Sequence, residues 1–136
     1  MATSPYPIAA QTPVSLSIAL SATANTSRAV STGVPTNAVL ISPSTNTNGV
    51  RVDQIFINGN GTTIAGLVVL WLYDGTNAYP IDEFAITAVT PNTTTTPAFV
   101  YSEYYSGFVL QPTYKLYATS QVASQVASIG MIGGAF

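Results

Sequence analysis

The sequence predicts an all-β chain: an antiparallel β-sandwich, jelly-roll-like, with an extended Pro-containing N-terminal arm. Three observations lead there. Short runs rich in β-branched and aromatic residues recur along the chain, as strands require. The segments between them, SPSTNTNG (42–49), NGNGTT (58–63) and TPNTTTTP (90–97), are built from Asn, Gly, Pro, Ser and Thr, the residues of turns. No segment carries an apolar stripe at helical spacing with caps at its ends. Seven or eight strands spaced this way suit a sandwich or jelly roll.

The elements follow in order. Residues 1–13 hold Pro5, Pro7 and Pro13, which remove backbone donors and favour extended chain; they form the predicted arm, and 14–136 the single domain. VSLSIAL (14–20) alternates with period two, as a half-buried strand does. Residues 38–42 give a short strand. VRVDQIFIN (50–58) begins with Val50 and Val52 on one face and Arg51 and Asp53 on the other. Its phase becomes ambiguous after Gln54, which permits a bulge there. LVVLWLY (67–73) is apolar on both faces and reads as a central strand. Its apolar run, from Ile64 to Tyr73, falls well short of the roughly twenty residues of a membrane helix. Asp74-Gly75 then turns the chain into a partner strand over 78–87, with Pro80 expected near that strand's start. Residues 97–105, 114–119 and 126–132 complete the set. VASQVASIG (122–130) comes nearest to a helical pattern and is read as mainly strand.

Charge is the unusual quantity. Three residues are basic and five acidic, 6% of the 136, where ordinary soluble domains carry roughly 25%. A surface of hydroxyls, amides and apolar groups suits a subunit whose faces are covered by neighbours, because burying charge costs desolvation. The net charge of −2 and the lack of any basic cluster argue against nucleic acid as a partner. No basic-then-apolar leader is seen at the N-terminus, and no membrane association is expected.

Chemistry-bearing residues are sparse. The chain has no His and no Cys, which removes the familiar nucleophilic triads and thiolate or imidazole zinc sites. No phosphate-binding glycine loop is present. Of the carboxylates, Asp82 and Glu83 are neighbours on a strand and point to opposite faces. Asp74 has the place of a turn residue, Asp53 alternates beside Arg51, and Glu103 lies among tyrosines. A calcium site using Asp82 or Glu83 is the one metal alternative. No catalytic residue, metal or cofactor is expected, and the chain is read as a non-enzyme. Lys115 reads as a solvated or paired strand residue. The sequons at Asn25, Asn60 and Asn92 are chance in a chain so rich in Ser and Thr. Tyr is enriched at protein interfaces and also binds sugars. The candidate interface residues are therefore Pro5, Tyr6 and Pro7 in the arm, Arg28, Arg51, and Tyr101, Tyr104 and Tyr105.

Four stretches in this order, NGVRVDQIFI (48–57), IAGLVVLWLYDGTN (64–77), FVLQPTYKLYATS (108–120) and GMIGGAF (130–136), resemble small structural proteins encoded among the head genes of tailed bacteriophages. The resemblance covers residues 48–136; nothing in the first 47 residues matches. It implies a virion component of the jelly-roll decoration or cement type on the outer surface of the capsid head. The implied partners are the major capsid protein and further copies of the chain, as a homotrimer at a three-fold position. A tail- or fibre-associated virion protein and a carbohydrate-binding β-sandwich module using the tyrosines are the alternatives.

Overall fold

A computed structural model describes residues 12–136. Among them are nine strands and no helix: β1 (Thr12–Ala19), β2 (Ser31–Thr32), β3 (Val39–Leu40), β4 (Val50–Gly59), β5 (Gly66–Tyr73), β6 (Asn77–Ile86), β7 (Val100–Leu110), β8 (Lys115–Ser120) and β9 (Ala127–Ala135). They form two antiparallel sheets. One has four strands in the order β1-β9-β4-β7, the other five in the order β2-β6-β5-β8-β3. Except for the hairpin β5-β6, successive strands from β3 onward alternate between the sheets. With β2 set aside, the order is that of a jelly roll, the predicted sandwich.

The core lies between the sheets. Val50, Val52, Ile55 and Ile57 of β4 and Ile129 and Met131 of β9 face Val68 and Leu70 of β5, Phe84 and Ile86 of β6 and Leu116 of β8. Strict alternation would send Ile55 and Ile57 outward if Val50 and Val52 point in. A bulge resolves this. Val52 pairs with Gly133 and Gln54 with Ile132, so Asp53 is the extra residue on β4. It resets the phase, and all four apolar side chains reach the core. The sequence placed the irregularity one residue later, at Gln54.

The β5-β6 hairpin forms as predicted. The Asp74 amide donates to the Asn77 carbonyl at 3.0 Å, and Gly75 takes a φ of 98°, open to glycine at little cost. The Asp74 carboxylate accepts from the amides of Thr76 and Asn77, both at 2.8 Å. Those two donors, Asn77 first, hold its pKa below the ordinary carboxylate value. Pro80 lies near the start of β6, as expected. It is the fourth residue of β6, opposite Trp71 and next to a register shift that leaves Ile81 unpaired. Bulges and free edges are the two places a strand tolerates proline; β2 pairs only with Asn77 and Ala78, so β6 has no outer neighbour at Pro80 among the described residues.

Some strand limits differ from expectation. β1 begins at Thr12, so the predicted arm loses its last two residues to the sheet, where Thr12 and Pro13 pair with Ala135 and Gly134. Pro13 fits because β1 is an edge. β7 runs on to Leu110 because Gly107, at φ 75°, lets three residues, Tyr105 to Gly107, bow out opposite Asp53. The stretch 122–130 is turn followed by strand from Ala127. Asn46 anchors the 42–49 loop: its amide donates to the carbonyls of Gln111 at 2.8 Å and Tyr114 at 3.0 Å, and its side-chain oxygen accepts from the Gly49 amide at 2.8 Å.

β5 is central and buried on both faces. Val68 and Leu70 enter the core, while Val69 and Trp71 form a second apolar cluster with Ala78, flanked by Tyr73 and Tyr117. The segment 21–38 lies over this outer face. The Asn25 amide donates to the Ser120 carbonyl at 2.9 Å, and the Gly33 amide to Thr76 at 2.7 Å. Asn25, Ser27 and Val30 are among the residues around a hollow beside Trp71. Trp71 is fully buried, and its indole N–H donates to Thr119 Oγ1 at 2.9 Å. The chain thus covers the outside of its own five-stranded sheet.

Candidate functional site

The outside of the four-stranded sheet has no such cover among the described residues. Its composition follows from register. Residues opposite one another on antiparallel strands share a face, and Val52, Ile55, Ile129 and Met131 point inward. The outer face therefore carries Arg51, Gln54, Phe56 and Asn58 of β4. Across from them lie Gly134, Ile132, Gly130 and Ser128 of β9, and Val109, Tyr104, Ser102 and Val100 of β7. Tyr104 is 72% exposed and Ile132 42%; Val100 and Val109 are exposed too. Gln54 donates to Ser102 Oγ at 3.0 Å. Among the described residues its only charges are Arg51 and Asp53, which form a two-pronged pair at 2.8 and 3.1 Å. The face offers apolar groups, amides and hydroxyls, with its one ion pair internally neutralised.

Phe56 also explains a glycine. Its ring lies over Gly130, and a Cβ there would overlap both the ring and the Leu16 carbonyl oxygen. At Gly133 a Cβ would overlap the Arg51 carbonyl. The glycine-rich end of the chain is thus the price of close strand approach in β9, which is paired on both sides.

The predicted interface residues separate. Pro5, Tyr6 and Pro7 lie outside the described residues. Arg51 and Tyr104 share the open face just described. Arg28 lies on the opposite side of the sandwich, in the covering segment. Its Nε donates to Glu83 Oε1, and its Nη2 to Gln121 Oε1 at 3.2 Å. Tyr101 and Tyr105 turn inward at the β6-β7 margin, against the core. Tyr101 donates to Glu103 Oε2, and that bond is the chief cause raising its pKa. Tyr105 donates to Asp82 Oδ2 at 3.1 Å; burial first, then the Asp82 charge, pushes its pKa well up. The two phenols seal the sandwich edge with rings inside and hydroxyls on carboxylates. Tyr104 alone of the three is free to meet a partner.

Most of the other polar side chains weighed from the sequence have structural partners. Asp82 and Glu103 accept from phenols, and no group of three potential metal ligands occurs among the described residues. The sequon amides are engaged: Asn25 donates to the Thr36 carbonyl at 2.8 Å, Asn60 to Ser128 Oγ at 2.6 Å, and Asn92 to Thr95 Oγ1 at 3.1 Å. Asn92 also accepts from the amides of Thr94, Thr95 and Thr96, which makes the TTTT stretch a closed turn. Among the described residues no helix is long and apolar enough to cross a membrane.

Ile132, Val100, Val109 and Phe56 belong to the open face and were not singled out from sequence. Each looks like an ordinary strand residue until register puts it beside Tyr104. No protein-family model, curated protein or solved structure matches the chain.

Proposed function

We propose that this protein is a non-enzymatic structural subunit that attaches to a larger assembly through the outer face of its four-stranded sheet. We place it on the bacteriophage head as a decoration or cement protein bound to the major capsid protein. The observation that carries the reading is the contrast between the two sheets. One outer face is closed by the chain's own segment 21–38; the other is open, nearly charge-free and studded with Tyr104, Ile132, Val100 and Val109. Aromatic and aliphatic groups without net charge make the desolvated centre of a protein interface. The capsid setting is supported by the motif resemblance. The fold does not choose it, since jelly rolls also serve as lectins and cupins. A sugar platform is disfavoured because Tyr101 and Tyr105 turn into the core, leaving Tyr104 without an aromatic companion from that cluster. Attached at several shell subunits, the protein would resist their separation, weak contacts acting collectively.

The test is binding of purified protein to heads that lack it, followed by co-sedimentation. Tyr104→Lys and Ile132→Lys are expected to lower the bound fraction at least tenfold while the free protein stays folded. Arg28→Ala, on the opposite side, is expected to leave it unchanged. Retained binding by both lysine variants would overturn the choice of face. Failure of the unaltered protein to bind any head would overturn the capsid setting.

A further inference from the structure

We infer that the free edge of β1 is the seat of a second copy of this chain, the two β1 strands pairing antiparallel about a two-fold axis. The first ground is that β1 alone among the edges is unguarded. Proteins blunt exposed edges by keeping them short, bulged or charged, or by placing proline along them; the one proline of β1, Pro13, sits at its second residue and leaves Val14 to Ala19 unguarded. The edge strands of the five-stranded sheet, β2 and β3, have two residues each. β7 is broken by the bow at Gly107 and carries Glu103. β1 has eight residues, TPVSLSIA, with no charge and an unbroken register against β9. Among the described residues nothing pairs with its other side.

The second ground is exposure. Leu16 and Ile18 stand opposite Met131 and Ile129, both fully buried, so they point to the inner side. Yet they are 37% and 39% exposed. They overhang the margin of the opposing sheet, where β3 is too short to cover them. Something apolar placed beside β1 would complete their burial.

The third ground selects the occupant. Val14, Leu16 and Ile18 alternate with Ser15, Ser17 and Ala19. When two such strands pair antiparallel with matched pleats, opposed residues share a face, so apolar meets apolar and hydroxyl meets small or hydroxyl. The strand is complementary to itself, as a two-fold interface requires. It offers no charge to attract an acidic or basic partner, and none to repel a copy. The chain's own residues 1–11 make a poorer strand, because Pro5 and Pro7 lack donors. Centred on Leu16, the ladder sets Leu16 against Leu16 of the copy and Val14 against Ile18. Pro13 falls at its end, where a missing N–H matters least. The product is one continuous eight-stranded sheet, four strands from each copy, with the open faces of both side by side. This replaces the three-fold arrangement expected from the resemblance with a two-fold one. It does not rest on the capsid setting, since purified protein alone tests it.

The experiment is light scattering on the full chain over a concentration series, with charge-swap variants at the centre. The unaltered protein is expected to be a dimer. Leu16→Lys alone and Leu16→Glu alone should each dissociate it, weakening the pair by on the order of 100-fold or more. An equimolar mixture of the two should restore the dimer. Because the chain has no cysteine, Leu16→Cys gives an independent reading should the charged variants misfold: mild oxidation should link two copies, whereas Tyr104→Cys should not. A monomer at every concentration, a trimer, or a dimer indifferent to both charged variants would overturn the inference. So would a chain lacking residues 1–11 that dimerises when the full chain does not, because the edge would then belong to its own N-terminal segment.

Discussion

Trp71 shows how much a single residue here depends on both layers around it. Its ring lies buried between β5 and the covering segment, beside the hollow that Asn25, Ser27 and Val30 help to line, and its indole N–H is satisfied by Thr119. Trp71→Ala is expected to lower stability by about 3–5 kcal/mol, the range for deleting a large buried aromatic, read by denaturant unfolding. Gly130 fails in the opposite sense. A methyl there has no room between the Leu16 carbonyl and the Phe56 ring, so Gly130→Ala should cost about 1–3 kcal/mol by overpacking. Combining it with Phe56→Ala should recover only part of that, since the backbone clash remains. Asp74 gives a pH dependence. Its folded pKa is depressed by the amides of Asn77 and Thr76, so its contribution is present above the unfolded carboxylate value. It is lost as pH falls through the lowered one. The protection of the Thr76 and Asn77 amides, measured as exchange relative to the intrinsic rate at each pH, should fall on acidification through that window, and Asp74→Asn should flatten the change. Unaltered protection across the window would contradict the assignment.

At the scale of elements, irregularities do the placing. The bulge at Asp53 lets β4 present Val50, Val52, Ile55 and Ile57 to the core and still turn Arg51 toward Asp53 outside. On β7 ordinary alternation sends Tyr101 and Tyr105 inward and leaves Tyr104 out, and the matching bow then turns Phe108 to the core. Segment 21–38 is held by backbone hydrogen bonds to β8 and the β5-β6 turn, with the exposed Arg28–Glu83 pair added. Both partners of that pair are well solvated, and pairs of that kind contribute roughly 0–1 kcal/mol. The cover therefore depends mainly on its backbone bonds and on the apolar surface of Trp71 beneath it.

For the molecule as a whole, the low charge sets how the proposed attachment should respond to salt. In that reading, contacts made by Tyr104, Ile132 and Val100 would bury apolar area, which ions do not screen. Exposed charge pairs weaken as the Debye length falls from about 10 Å at about 0.1 M to about 3 Å at about 1 M. The protein should stay on particles through a wash near ~1 M NaCl, and sulfate should strengthen retention. Co-sedimentation across a salt series reads this. Steep release at moderate NaCl, with the free protein still folded, would mean that charge holds it.

The sequence by itself determined the class of fold, most of the strands and the β5-β6 hairpin, because period-two alternation and turn residues act locally. It also determined the scarcity of charge. Two features stayed hidden because they arise from pairing between distant residues. Segment 21–38 has little strand signal; its cover over Trp71 depends on β5 and β8 lying beneath it. The open face is made of residues from β4, β7 and β9, far apart in the chain, and only register sets Ile132 and Tyr104 on either side of Gln54. Clustering along the chain placed Tyr101, Tyr104 and Tyr105 together. Period-two alternation parts them, Tyr101 and Tyr105 to the core side and Tyr104 to the outside, and the register with β4 sets which side is which. Local chemistry writes the strands; which side chains share a surface is decided by strand order and bulges, and these exist only once the two sheets have packed.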